Sequence, residues 1–334
     1  MPTTLTVAKT KAPRPHFYSY PIDQQSATQQ IIEGLQQPQK ILAPKYFYDT
    51  KGAELFDQIT RLPAYYLSRA EQEILRRYSA VIAAHTGLDG ILIEPGCGTC
   101  DKVELLISSL RPRAYVPIDI AKNCLYNAAN RMSERFPWLE CHAINADFSD
   151  DFTLPERLPA GKRIAFYPGS SIGNCEPAAA QAFLRRIHEL VGADGGLLIG
   201  VDLQKNISQL NAAYNDSQGV TAAFNRNILN HVNRLTGSNF SPSTFDHIAF
   251  YDAQLGRIEM HLCSRNAQEV MVGEECISFA TGETIHTENS YKYTSQSFCE
   301  LAAKAGFFHE QTWYDEKKLF SLHYFIASQK IQAP

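Results

Sequence analysis

The run Ile91-Leu-Ile-Glu-Pro-Gly-Cys-Gly-Thr-Cys-Asp-Lys102 carries residue types that can bind a nucleoside. An apolar segment ends in an acid, Glu94, turns through Gly96 and Gly98, and passes into the helix-like Val103-Glu-Leu-Leu-Ile107. Glycine removes the Cβ that would hold a ligand away and permits positive φ, so such a turn lets backbone amides approach a bound molecule. A dinucleotide-binding turn has a third glycine three residues after the second; Asp101 stands there, which argues against a pyrophosphate. Two further apolar runs end in acids. Tyr115-Val-Pro-Ile-Asp119 follows at the distance where a carboxylate takes both hydroxyls of a ribose. Cys141-His-Ala-Ile-Asn-Ala-Asp147-Phe148 ends in an acid beside an aromatic, suited to the amino group and the face of an adenine.

These residues need a scaffold that brings strand ends together. Apolar runs near 90–95, 114–119, 141–146, 163–168 and 196–202 alternate with helix-length segments, which predicts a parallel, doubly wound sheet. Ahead of them, Ser26 to Gln36 reads helical, Tyr46-Phe-Tyr-Asp49 opens a turn, and Ser68 with Glu71 predicts a capping box. The alternation breaks after Asp202. Residues 206–238 are polar, rich in Asn and helical, and 245–293 show strand-like alternation, as in Arg257-Ile-Glu-Met-His-Leu262; together they read as an inserted lobe. A helix from Ser295 to Lys304 and two apolar segments, around Trp313 and from Phe320 to Ile326, read as a return to the sheet through an antiparallel hairpin.

Composition bounds the partners. The 334 residues are 44% hydrophobic, enough for a full core and more than one lobe, and the net charge of −4 offers no footprint for nucleic acid or an anionic membrane. The longest apolar stretches fall short of the ~20 residues of a membrane span, and the first 15 residues lack a signal-peptide core. A cytoplasmic protein acting as a monomer on a small polar substrate is expected. Eight scattered cysteines point to reduced thiols; Cys97-Gly-Thr-Cys100 has no second pair at zinc spacing, and the ten histidines form no ligand motif, so no metal is expected.

With Glu94 before the first glycine and Thr99 after the second, the loop resembles the E-x-G-x-G-T turn of class I S-adenosylmethionine methyltransferases. Three segments resemble one family within that class, the ergothioneine-pathway histidine Nα-methyltransferases. They are Tyr46-Phe-Tyr-Asp-Thr-Lys-Gly-Ala-Glu-Leu-Phe-Asp57 with its continuation to Glu71, Gly169-Ser-Ser-Ile-Gly-Asn174, and Ile285-His-Thr-Glu-Asn-Ser-Tyr-Lys292. The likeness covers nearly the whole chain after the first 15 or so residues. It departs at Pro95 and Cys97, where many relatives carry Gly or Ser, and at Leu67, where proline is common.

The resemblance implies a class I Rossmann-like sheet with an inserted α+β substrate lobe. Its divisions are an arm at 1–15, a first part of the substrate lobe at 16–68, a cofactor domain at 69–203, the inserted lobe at 204–291 and the return of the cofactor domain at 292–334. It implies that Tyr48, Gly96, Lys102, Asp119, Asp147 and Phe148 bind S-adenosylmethionine. It further implies that Asn174 and Tyr214 hold the amino acid's carboxylate and amine, with Gly169 beside them. Tyr65, Glu288 and Ser290 surround the imidazole, Met260 packs against it, and Tyr48 with Asn174 orients the attacking amine.

Those residue types fit a histidine. Neutral imidazole has one donor and one acceptor nitrogen; a carboxylate accepts from the first and a hydroxyl serves either. An indole or aliphatic chain leaves such groups unpaired. The competing readings are Nα-methylation of tryptophan, prenylated tryptophan or tyrosine, a nicotinamide dehydrogenase, and a noncatalytic cofactor-binding protein. Glu288 with Ser290 argues against the first and the missing third glycine against the second.

Overall fold

The computed structural model describes residues 14–20, 24–148 and 152–327, so nearly all of the expected arm at 1–15 lies outside the described residues. The chain begins with β1 (His16–Ser19), α1 (Gln24–Leu35), β2 (Lys40–Ile41), a 3-10 turn (Pro44–Phe47), α2 (Thr50–Arg61) and α3 (Leu67–Thr86). The βα alternation follows: β3 (Ile91–Pro95), α4 (Asp101–Leu110), β4 (Ala114–Asp119), α5 (Lys122–Arg135), β5 (Glu140–Asn145), β6 (Arg163–Tyr167), a 3-10 turn (Ser171–Asn174), α6 (Pro177–Val191) and β7 (Gly196–Asp202). Then come α7 (Ile207–Tyr214), α8 (Val220–Thr236), β8 (Phe245–Asp252), β9 (Arg257–Ser264), β10 (Gln268–Val272), β11 (Glu275–Phe279) and β12 (Thr284–Tyr291). The chain closes through α9 (Ser295–Ala303), β13 (Phe307–Tyr314) and β14 (Phe320–Ala327).

Eight strands form the central sheet in the order β1-β5-β4-β3-β6-β7-β14-β13, parallel except at β14, which is antiparallel to both neighbours. Strands β3 and β7 are buried along their whole length, which is why they read as unbroken apolar runs: helices cover both faces. Order reverses between β3 and β6, and the crevice outside the carboxyl ends of strands at such a point is where open α/β sheets bind ligands. Asp119 ends β4 on this edge, and the glycine turn, Asp147 and Gly169 follow the ends of β3, β5 and β6. Strand β1, in the segment expected to belong to the substrate lobe, pairs instead with β5 and extends the central sheet.

The lobe is a second sheet, β2-β12-β9-β8, so Lys40–Ile41 from the N-terminal segment is hydrogen-bonded to the inserted one. Helix α8 locks the two together. Its buried Phe224, Ile228, Leu229 and Val232 make one apolar stripe, and the Phe224 ring stacks on Phe47 at 4.5 Å. Asn227 and Arg234 of the same helix hold Asp49, which caps α2 by accepting from the Gly52 amide at 2.6 Å.

The capping box predicted at Ser68 and Glu71 does not form. Helix α3 starts two residues earlier, with Tyr66 at the cap position and no side-chain cap, and Glu71 is fully buried. Its Oε1 accepts from the Gly169 amide at 2.7 Å and its Oε2 lies 2.7 Å from the Lys102 ammonium. Two partners that the local sequence cannot show outcompete the cap.

Candidate active site

On the sheet side of the crevice, Gly96 has φ +65°, and a Cβ there would stand 3.3 Å from the Phe148 ring; the turn is open because the residue is glycine. Gly98 donates its amide to Asp119 Oδ2 at 2.8 Å, and Ala121 donates to Oδ1 at 2.8 Å. A carboxylate has about four acceptor sites, so Asp119 keeps capacity for two ribose hydroxyls. Burial pushes its pKa up against these same amides. Asp147 takes an ion pair from Lys45 at 3.2 Å, and the Phe148 ring meets Tyr167 and Phe183 edge-on. A cavity of about 260 Å³ opens beyond Phe148, lined by Pro95, Phe152, Phe183, Arg186 and Leu190; of the expected cofactor residues it touches only Phe148. Glu94 is buried under the turn, takes the Tyr115 hydroxyl, and is pushed up to about 8 by desolvation.

Lys102 is turned toward Glu71, and a Cβ on Gly169 would lie 2.9 Å from its Nζ. Gly169 (φ +83°) and Ser170 (φ 57°) are both left-handed, a sharp corner that aims the 3-10 turn at the lobe. There Gly173 packs on β12 so closely that a Cβ would stand 2.8 Å from the Tyr291 carbonyl oxygen. Glu176 ties the corner down by accepting from Asn289, Tyr291 and Arg257. Asn174 is half-buried at the end of this turn, and its amide makes no hydrogen bond among the described residues.

The expected substrate residues meet. Tyr65, Tyr214, Met260 and Glu288 line one narrow cavity with Phe56, Ile59, Thr221 and Phe224, so α2, the segment before α3, α7, α8 and the lobe sheet all contribute. Sequence spacing leaves out Phe56, Thr221 and Phe224. Glu288 faces this cavity with no hydrogen bond to its carboxylate among the described residues, and desolvation pushes it up to about 7 against the pull of Lys292. Tyr48 follows the first 3-10 turn and is shifted upward by burial first, then by Glu288 and by Asp119. Glu288 and Asp119, one carboxylate from each half of the crevice, both act on this phenol.

Ser290 is less open than expected: its hydroxyl is 2.8 Å from Tyr214 Oη and accepts from Lys292 Nζ at 2.7 Å. Behind it runs a buried network that sequence reasoning misses. Lys292 pairs with Asp202 at 2.8 Å with both side chains inaccessible, and Tyr66 donates to Asp202 at 2.9 Å. Lys205 completes it, with its ammonium lowered to about 8 by desolvation. The available signal is the acid that ends the apolar β7 run, the same pattern that marks Asp119.

Strand order, the glycine turn and the acids at the strand ends define a class I S-adenosylmethionine-dependent methyltransferase. Residues 27–327 match the histidine-specific, SAM-dependent methyltransferase family, and the chain belongs to it. It is 38% identical over 299 residues to the histidine N-alpha-methyltransferase of Mycolicibacterium smegmatis, covering 87% of this chain and 92% of that one. The enzyme of the same name from Mycobacterium tuberculosis is 39% identical over 298 residues, with 87% and 92% covered. Ergothioneine biosynthesis protein 1 of Schizosaccharomyces pombe is 28% identical over 84% of this chain, which spans 37% of that protein. Among the described residues no helix is long and apolar enough to cross a membrane.

Proposed function

We propose that the chain methylates the α-amino nitrogen of free L-histidine with S-adenosylmethionine, in three successive transfers that give N,N,N-trimethylhistidine, hercynine, for ergothioneine biosynthesis. It acts as a cytoplasmic monomer, and the net charge of −4 supports the absence of a nucleic-acid partner. The observation that carries the substrate is Glu288. A half-buried carboxylate without a hydrogen bond, in a cavity otherwise lined mostly by aromatic and aliphatic groups, is costly until an N–H donor arrives. One imidazole nitrogen supplies that donor, and the other meets the hydroxyl of Tyr65 or Ser290. An indole has no acceptor for them.

When bound, S-adenosylmethionine supplies a methyl group made electrophilic by its sulfonium. The protein's part is to hold the attacking amine in line with it, and no covalent nucleophile is required. Asp119 and the Gly96–Gly98 turn anchor the cofactor, with Asp147 and Phe148 at its adenine end and Lys102 at the junction with the Gly169 corner. Asn174, whose amide makes no hydrogen bond among the described residues, holds the substrate's carboxylate and amine together with Tyr214. Tyr48, kept protonated by its surroundings, orients the amine from between the half-sites. Met260 fills the floor beside the ring.

The test is incubation of the purified protein with S-adenosylmethionine and a panel of free amino acids, with products weighed by mass spectrometry. Mono-, di- and trimethylated histidine are expected. Turnover of tryptophan or tyrosine in preference to histidine refutes the reading.

A further inference from the structure

The Lys292 ammonium is enclosed and fully engaged. Its three hydrogens have three acceptors: Asp202 Oδ2 at 2.8 Å, Tyr214 Oη at 2.9 Å and Ser290 Oγ at 2.7 Å. Asp202 in turn is held from behind by Tyr66 and Lys205, and its own backbone amide donates to Ser170 Oγ at 2.9 Å, one residue from Gly169. The lysine is therefore clamped between the end of β7, the end of α7 and the end of β12.

Hydrogen counting gives this clamp a consequence. Tyr214 and Ser290 each carry one hydroxyl hydrogen, and each already accepts one from Lys292. Their oxygens are 2.8 Å apart, so one hydrogen lies between them. One hydrogen is left over for the pair, on whichever oxygen does not donate to the other; Tyr214 lines the cavity that Glu288 also faces, and Ser290 is two residues from Glu288 on β12. The pair thus keeps one O–H donor beside a carboxylate acceptor.

We propose that Lys292, clamped by Asp202, is a positioning residue that locks Tyr214 and Ser290 into a single hydrogen-bond donor for an acceptor atom of the substrate, complementary to the acceptor Glu288. The proposal rests on the amino-acid reading of this pocket. A neutral imidazole, with one N–H and one bare nitrogen, satisfies both ends at once; an amino acid whose side chain only donates or only accepts satisfies one. The same ammonium is the positive group that favours ionised Glu288, which otherwise faces the uncharged phenols of Tyr48, Tyr65 and Tyr214. A purely structural lysine leaves substrate choice untouched.

The experiment compares wild type with Lys292→Met and with the double variant Lys292→Met/Asp202→Asn, which removes both buried charges together and strands neither. Affinity for S-adenosylhomocysteine by calorimetry reports that the cofactor half is folded. With it unchanged within about twofold, histidine KM is expected to rise at least tenfold with a smaller fall in kcat, and the acid limb of kcat/KM to move to higher pH. A histidine KM within twofold of wild type and an unmoved acid limb overturn the proposal. So does failure of both variants to fold, which assigns the pair to stability. Wild type that leaves histidine unmethylated overturns the histidine reading instead, and so separates the two.

Discussion

Glu288 stands directly opposite Met260 across β12 and β9, although simple alternation puts it on the other face of the sheet. His286 pairs with His261 and Glu288 with Met260, so Thr287 is an extra residue, a β-bulge. Residues paired across antiparallel strands share a face. The bulge thus leaves His286 stacked on His261 at 4.7 Å on one face and turns Glu288 toward the cavity on the other. Thr287 is held in the bulge by its hydroxyl, which reaches Asn225 Oδ1 at 2.7 Å and the Met260 carbonyl at 3.0 Å.

Glu288→Ala is expected to lower kcat/KM for histidine about 30- to 1000-fold, the effect of losing a charge-assisted bond of roughly 2–4 kcal/mol. Affinity for S-adenosylhomocysteine should stay within about twofold, since no expected cofactor residue lines that cavity. Steady-state kinetics with calorimetry decides it; full histidine turnover in the variant refutes the assignment.

Glu288→Gln should separate stability from activity. The carboxyl rises from 4.5 to about 7 on folding, so between those values the folded state holds a proton that the unfolded state has lost. Stability therefore falls as pH climbs through that window, and above it the burial costs on the order of 3 kcal/mol. The ligand-free Gln variant should melt higher than wild type at pH 8, about equally at pH 4.5, and turn over histidine poorly at both. Wild-type kcat/KM should fall as pH drops below about 7, because the carboxylate is the competent form. Thermal melts at the two pH values and a kcat/KM profile test both statements.

Asn225→Leu should disturb the bulge. Asn225 is inaccessible and bonds Thr287, the His261 carbonyl and His247. Its loss leaves buried polar groups unpaired, about 1–3 kcal/mol in denaturant melts. Glu288 is displaced with the bulge, so histidine KM should rise several-fold while cofactor affinity holds. An unchanged KM shows that strand pairing alone sets the bulge.

The sheet was legible because βα alternation and continuously apolar strands are local signals, and the acids Asp119 and Asp147 end such runs. The lobe pocket was legible only through family likeness, since nothing in Glu283-Thr-Ile-His-Thr-Glu288 reveals a register shift whose extra residue, Thr287, bonds Asn225 more than 60 positions away. Ser68 and Glu71 show the opposite error: a correct local motif loses to burial. The Asp202–Lys292 pair lies at two segment ends 90 residues apart, where spacing carries no information.

Glu71 makes the last prediction. It bridges Lys102 of α4 and the Gly169 amide, the cofactor side and the substrate corner, and it fits only because position 200 is glycine: a Cβ there would lie 2.2 Å from Oε1. Gly200→Ala must displace either that carboxylate or the Phe320 ring at 3.0 Å, and should cost about 1–3 kcal/mol of stability by overpacking. Glu71→Gln keeps the shape and an acceptor for Gly169 but cancels the charge that faces Lys102. Cofactor affinity, read by calorimetry, should change several-fold in Glu71→Gln with little change in melting temperature, whereas Gly200→Ala should lower both. If Glu71→Gln leaves cofactor and histidine binding untouched, the bridge is a packing contact and Lys102 is oriented by something else.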